Sequence, residues 1–199
     1  MRGLIAVALV ATVVAAACGP IEGSSPPSPQ PIKATPPVTP GPSQTPILSS
    51  GVVIDWRLLD VLPETVDDFD LVESEDAEAA ALEDPQLATV GSSIAAALAV
   101  DPATGEFVYA IVVRLLPGAV DATVFRDWRD SYDEGACSQA DGVAGHAETE
   151  MGGRTVYIGT CAGDLRTYHV LLEEKEVLIS ASAVGERRLG ERLVENLRP

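Results

Sequence analysis

The hydrophobic pattern is densest at residues 107–115, which read Phe-Val-Tyr-Ala-Ile-Val-Val-Arg-Leu. A run that is apolar on both faces predicts a strand covered on both sides, or nearly so. The alanines of residues 94–100 favour a helix, but Asp101-Pro102-Ala103-Thr104-Gly105 is strong turn chemistry. The balance leans to a hairpin in which 94–100 pairs with 107–115. Upstream, residues 58–72 predict extended segments broken at Pro63, and the Ala- and Glu-rich stretch 73–87 predicts a short helix. Ser74 is its N-cap and Pro85 limits its length.

After the Pro117-Gly118 turn the period changes. Asp121 can cap a helix running to about Asp133, with Val124, Phe125, Trp128 and Tyr132 on one face. Arg126, Asp127, Arg129 and Asp130 fall mostly on the other, and Gly135 suits the helix terminus. Strands follow at 154–161, 165–172 and 177–183, with a short one around 147–151 before the Gly152-Gly153 turn. Their short connections imply antiparallel neighbours. Leu189, Leu193 and Leu197 form the apolar stripe of a closing helix over 186–197, which Gly190 weakens by up to ~1 kcal/mol relative to alanine. The sum is an α+β fold, an antiparallel β-sheet with helices packed on it. The element order from Phe107 onward resembles the PsbP-like fold. So do the stretch Gly152-Gly153-Arg154-Thr155-Val156-Tyr157 and the closing Glu191-Arg192-Leu193-Val194-Glu195-Asn196-Leu197. That resemblance implies a noncatalytic assembly or accessory role.

The N-terminus divides the chain. Arg2 precedes an uncharged apolar run over residues 4–17. A spanning helix needs ~20 apolar residues, and Gly19-Pro20 ends this run early, so it reads as the core of a signal peptide. Cys18 follows three small residues, Ala15-Ala16-Ala17. This resembles the lipobox of bacterial lipoproteins, although that family prefers Leu where Ala15 stands. The resemblance implies cleavage before Cys18, lipid on that cysteine, and a chain held to the membrane by its N-terminal lipid on the extracytoplasmic face. Ordinary secretion with cleavage near Ala17 is the alternative. Between residues 18 and 50 lie ten of the 15 prolines, with only Glu22 and Lys33 charged. Such a segment cannot bury enough apolar surface to order itself. It reads as a disordered, semi-rigid spacer with a reach on the order of 100 Å. An O-glycosylated stalk and a ligand for a proline-binding module are the other readings. The organisation is therefore signal peptide 1–17, anchor cysteine and linker 18–50, and one domain over 51–199.

The formal net charge of −17 argues against nucleic acid and against adhesion to anionic headgroups. The acids are densest between Asp60 and Asp84 and read as a solvated face, with calcium or a basic partner as the other readings. Asp67-Asp68-Phe69-Asp70 lacks the ligand spacing and turn glycine of a calcium loop.

With Cys18 assigned to lipid, Cys137 and Cys161 are expected to pair, as two thiols in an oxidising compartment usually do. His146 is expected in a loop and His169 on a strand. His146 with Glu148 would be half a metal site, but the sequence offers no other half. The sequence points to no metal, cofactor or catalytic residue, since no nucleophile elbow, phosphate loop or zinc spacing is present. Trp128 is the most informative side chain for binding. It either packs with Phe125 on the sheet or joins Arg126, Arg129 and Tyr132 in an exposed patch for a protein or glycan. The preferred function is a lipid-anchored extracytoplasmic accessory or binding protein with a protein partner. A cell-envelope hydrolase with an unsigned site and a small-ligand receptor are the alternatives.

Overall fold

The computed structural model describes residues 51–119 and 121–198. Cys18, the signal segment and the proline-rich segment lie outside the described residues.

The chain enters at β1 (Val53–Ile54), a 3-10 helix (Trp56–Val61), a small hairpin of β2 (Thr65–Val66) and β3 (Phe69–Asp70), and β4 (Val72–Glu73). Two short helices follow, α1 (Glu75–Ala81) and α2 (Leu87–Val90). The hairpin of β5 (Gly91–Val100) and β6 (Phe107–Leu115) comes next, then the long helix α3 (Ala122–Cys137). A meander of β7 (Val143–Met151), β8 (Arg154–Cys161), β9 (Leu165–Leu172) and β10 (Val177–Val184) leads to α4 (Leu189–Glu195). The sheet order is β1-β5-β6-β10-β9-β8-β7, with β4 also pairing β5. Only β1 lies parallel to its neighbour, so the sheet is mixed and the fold is α+β. Helix α3 carries the chain from β6 to the far edge, and the meander returns until β10 pairs with β6.

The sheet is covered on both faces. Val108, Ala110 and Val112 of β6 face a core with the first 3-10 helix and α4. Ile111, Val113 and Leu115 face a second core with Phe125 and Trp128 of α3. That is why β6 reads as apolar without alternation. The predicted hairpin forms in full register from Ser93–Arg114 to Val100–Phe107. Asp121 caps α3 as expected, its side chain accepting from the N–H groups of Thr123 and Val124.

Several expectations are corrected. The stretch 58–72 is not extended throughout. It opens in the 3-10 helix, whose Leu58 and Val61 are buried against the sheet. The 73–87 segment breaks into α1 and α2 around Pro85, and Ser74 sits at the N-cap position without a side-chain bond. Helix α3 runs on to Cys137, so Gly135 lies inside it. His146 is on a strand rather than in a loop, because β7 begins at Val143. Helix α4 is shorter than 186–197. Arg188, at its N-cap, is left-handed. Arg187 is tied to Asp67 and Asp101 (2.7 and 3.1 Å) and stacks over Phe69, which holds the residues before the helix in a polar clamp.

Candidate functional site

Period-two alternation brings polar residues of five strands onto the face beneath α3. One row across the sheet reads His146, Gly159, Thr167, Ser182 and Tyr109. The next reads Glu148, Tyr157, His169, Ser180 and Ile111. Above them α3 presents Trp128, Tyr132 and Asp133. Its last turn is fastened to the sheet by a Cys137–Cys161 disulfide with Cα atoms 5.2 Å apart, within bridge geometry.

Asp133 is the centre of this arrangement and is fully buried. Its Oδ1 lies 2.8 Å from His169 Nε2 and accepts the Thr167 hydroxyl. Ser180 Oγ lies 2.9 Å from His169 Nδ1 and accepts the Trp128 indole N–H at 3.0 Å. An indole N–H can only donate. Ser180 therefore accepts from Trp128 and has its own proton to place, and His169 Nδ1 is the acceptor within reach. The imidazole must then be neutral with its proton on Nε2, donated to Asp133. Electrostatics agree. Burial pushes the His169 pKa below its ordinary value. Burial pushes the Asp133 carboxyl up, but the hydrogen bonds from His169 and Thr167 outweigh it and hold it low. Tyr132 packs edge-on to His169 with its hydroxyl 3.0 Å from Ser182 Oγ.

His146 approaches from the edge strand, Nε2 at 3.0 Å from Asp133 Oδ2. The contact is off the hydrogen-bond axis. Oδ2 is the single buried side-chain polar atom among the described residues without a hydrogen bond.

The connectivity of Ser180, His169 and Asp133 is that of a nucleophile, base and orienting acid. Its burial gives it another meaning. All three are buried, Ser180 and His169 beneath α3 and Asp133 on its inner face, and the serine oxygen is engaged by Trp128. A substrate carbonyl has no approach, so the network reads as a polar core that fixes how α3 sits on the sheet. Gly159 makes room for it: a Cβ there would fall onto Thr167 Oγ1 and the Asp133 carboxylate. Gly159→Ala is expected to lower stability by about 1–3 kcal/mol or more, read from the urea midpoint. An unchanged midpoint would show that Asp133 is free to move.

Acid should loosen the same network. The folded pKa of His169 lies below its unfolded value of ~6.5. Its contribution is therefore complete above pH ~6.5 and is lost as pH falls from there toward the folded value. Asp133, also lowered, contributes above its unfolded value of ~3.9 and loses that as pH falls through the folded value. The His169 nitrogen-15 resonances should report the neutral Nε2–H form at pH 6. An imidazolium there would sink the assignment.

The residues singled out from sequence do not form one surface. Trp128 packs in the core, as in the first of its two readings, and Tyr132 is anchored inward to Ser182. Arg126 points to solvent beside Asp127. Arg129 lies over the Tyr157 ring at 5.0 Å and bonds Asp130. Sequence reasoning missed Asp133, Thr167, Ser180 and Ser182. A signal existed: Asp133 stands four residues before Cys137, and Thr167/His169 and Ser180/Ser182 are polar pairs at spacing two in otherwise apolar strands.

The concave feature is separate from this network. A groove of about 710 Å³ opens between the start of α3 and the ends of β6, β8 and β9. Leu116, Phe125, Tyr157 and Leu171 give it an apolar lining, and Glu148, Glu173 and Glu176 stand around it. Arg154 also lines it, but its guanidinium donates to the carbonyls of Gly152 and Leu197. Among the described residues no group of side chains could hold a metal ion, and no helix is long and apolar enough to cross a membrane. Comparison with family models, curated proteins and solved structures finds no match to this chain.

Proposed function

We propose that this chain is a lipid-anchored accessory or binding protein of the extracytoplasmic face, with a PsbP-like domain carried on a proline-rich leash. The observation that carries the reading is the Cys137–Cys161 bond. A disulfide in the domain fits an oxidising compartment, and it leaves Cys18 for lipid. The layering supports the PsbP-like arrangement, with helices on both faces of a sheet and a meander leading into α4. The burial of the Ser180–His169–Asp133 network supports a binding role over a hydrolytic one.

Two measurements test the location. Cys18→Ser should move the protein from the membrane fraction to the soluble one or leave it unprocessed. Retention with unchanged processing would end the lipid assignment. Intact mass should rise by two hydrogens on reduction, and no change would remove the oxidised pair.

A further inference from the structure

The groove adjoins the free edge of the sheet. Strand β7 pairs with β8 alone, and no strand lies on its other side among the described residues. It is nine residues long and exposed along most of its length. Natural sheets blunt such edges with charged side chains, lysine above all, and with proline, very short strands or bulges, and Glu148 and Glu150 are the acids that β7 carries. β7 contains neither lysine nor proline, and its one irregularity lies at its beginning, between Val143 and Gly145. Glu148 and Glu150 project from it toward the α3 side, the side on which the groove opens. Glu173 and Glu176 face the groove from the β9–β10 turn. Among the described residues the one cation lining the groove, Arg154, is bound to backbone carbonyls.

We propose that β7 and this groove together receive an extended cationic segment of a partner protein, added as a further strand. The proposal rests on the binding-domain reading above and gives that partner a chemistry. Outward N–H and C=O groups of β7 would hold the backbone. Residues two apart on one face of the incoming strand would lie opposite Glu148 and Glu150, so that face should carry lysine or arginine at alternate positions. An apolar side chain beside them would point along the α3 side toward Tyr157, one strand in from β7. A second copy of this chain fits poorly, since it would bring the same two carboxylates and the same strongly negative charge.

The test uses the full chain in detergent and a labelled nine-residue peptide of alternating lysine and valine, followed by fluorescence anisotropy. Charge reversal at Glu148, Glu150 and Glu173 should weaken binding at least tenfold. The same reversal at Glu75, Asp76 and Glu83, at the opposite end of the sheet, changes net charge equally and should weaken it less than threefold. N-methylation at successive peptide residues, which removes backbone donors from both edges of the strand, should abolish binding. Equal loss in the two triple variants would overturn the site in favour of general charge attraction. Equal binding of the N-methylated peptide, or of a glutamate–valine peptide, would overturn strand addition to an acidic edge. A dimer that the β7 reversal dissolves and the peptide does not displace would assign the edge to a second copy instead. Anchoring plays no part in these measurements, so a negative result here leaves the Cys18 assignment standing, and the reverse holds too.

Discussion

Asp133→Ala is expected to cost the domain about 3–5 kcal/mol, much of a typical domain's 5–15 kcal/mol. The carboxylate accepts from both His169 and Thr167. Truncation leaves an imidazole N–H and a hydroxyl without partners where water does not reach, each costing ~1–3 kcal/mol. The damage should spread along the chain of donors, because Ser180 and Trp128 are ordered by His169. Asp133→Asn should be milder. Its amide oxygen can still accept from His169 and Thr167, and its NH2 can face His146. Urea unfolding with the disulfide intact gives both values. A loss under ~1 kcal/mol for Asp133→Ala would mean that the network decorates the fold and does not specify it.

Leu193→Ala is the second large effect, at ~2–5 kcal/mol from lost burial and the cavity left behind. Leu193 is completely inaccessible and stands one turn past Leu189 on the side of α4 that meets the sheet, with Leu197 buried just beyond the helix. Its neighbour Arg192 makes the comparison internal. That guanidinium is half exposed and reaches Asp67 at 3.2 Å, an ion pair of the kind worth under ~1 kcal/mol. Arg192→Ala should therefore move the denaturant midpoint little. Equal, small losses in the two variants would show that α4 does not dock.

What could be read from the sequence was what depends on local pattern. The β5–β6 hairpin, the Asp121 cap, the strands of the meander and the stripe of α4 follow from turn residues and periodicity. The disulfide followed from the cysteine count and the oxidising compartment that the N-terminus leads one to expect. What escaped depends on close approach across long separations. Gly190 is the clearest case. From sequence it only weakens a helix, yet a Cβ there would enter the Tyr168 ring, so alanine gains helix propensity and loses the packing. Asp133 reads as a helix-ending acid because nothing local says that two strands will bring histidines to it. The glycine and alanine around His146 point to a loop and mask an edge strand that its pairing with β8 secures. The first 3-10 helix was missed for the same reason: its leucines are ordered by the sheet beneath them. The groove had no sequence signature at all, being the space left between elements.

The position of the disulfide has a consequence for how the domain opens. Cys137 ends α3 and Cys161 ends β8, so the 24-residue separation encloses the whole of β7 and its turn into β8. Sheets fray from their edges, and an outer strand is ordinarily the first to exchange its amide protons. Here the fraying strand stays inside a covalent ring, which limits how far it can swing and keeps the cover over Asp133 in place. Reduction would release that ring without touching the core on the α4 side. Amide exchange should then accelerate first in β7 and the last turn of α3, while β6 and β10 keep their protection, so that the thiol balance of the surroundings, more than temperature, selects the edge at which this molecule comes apart.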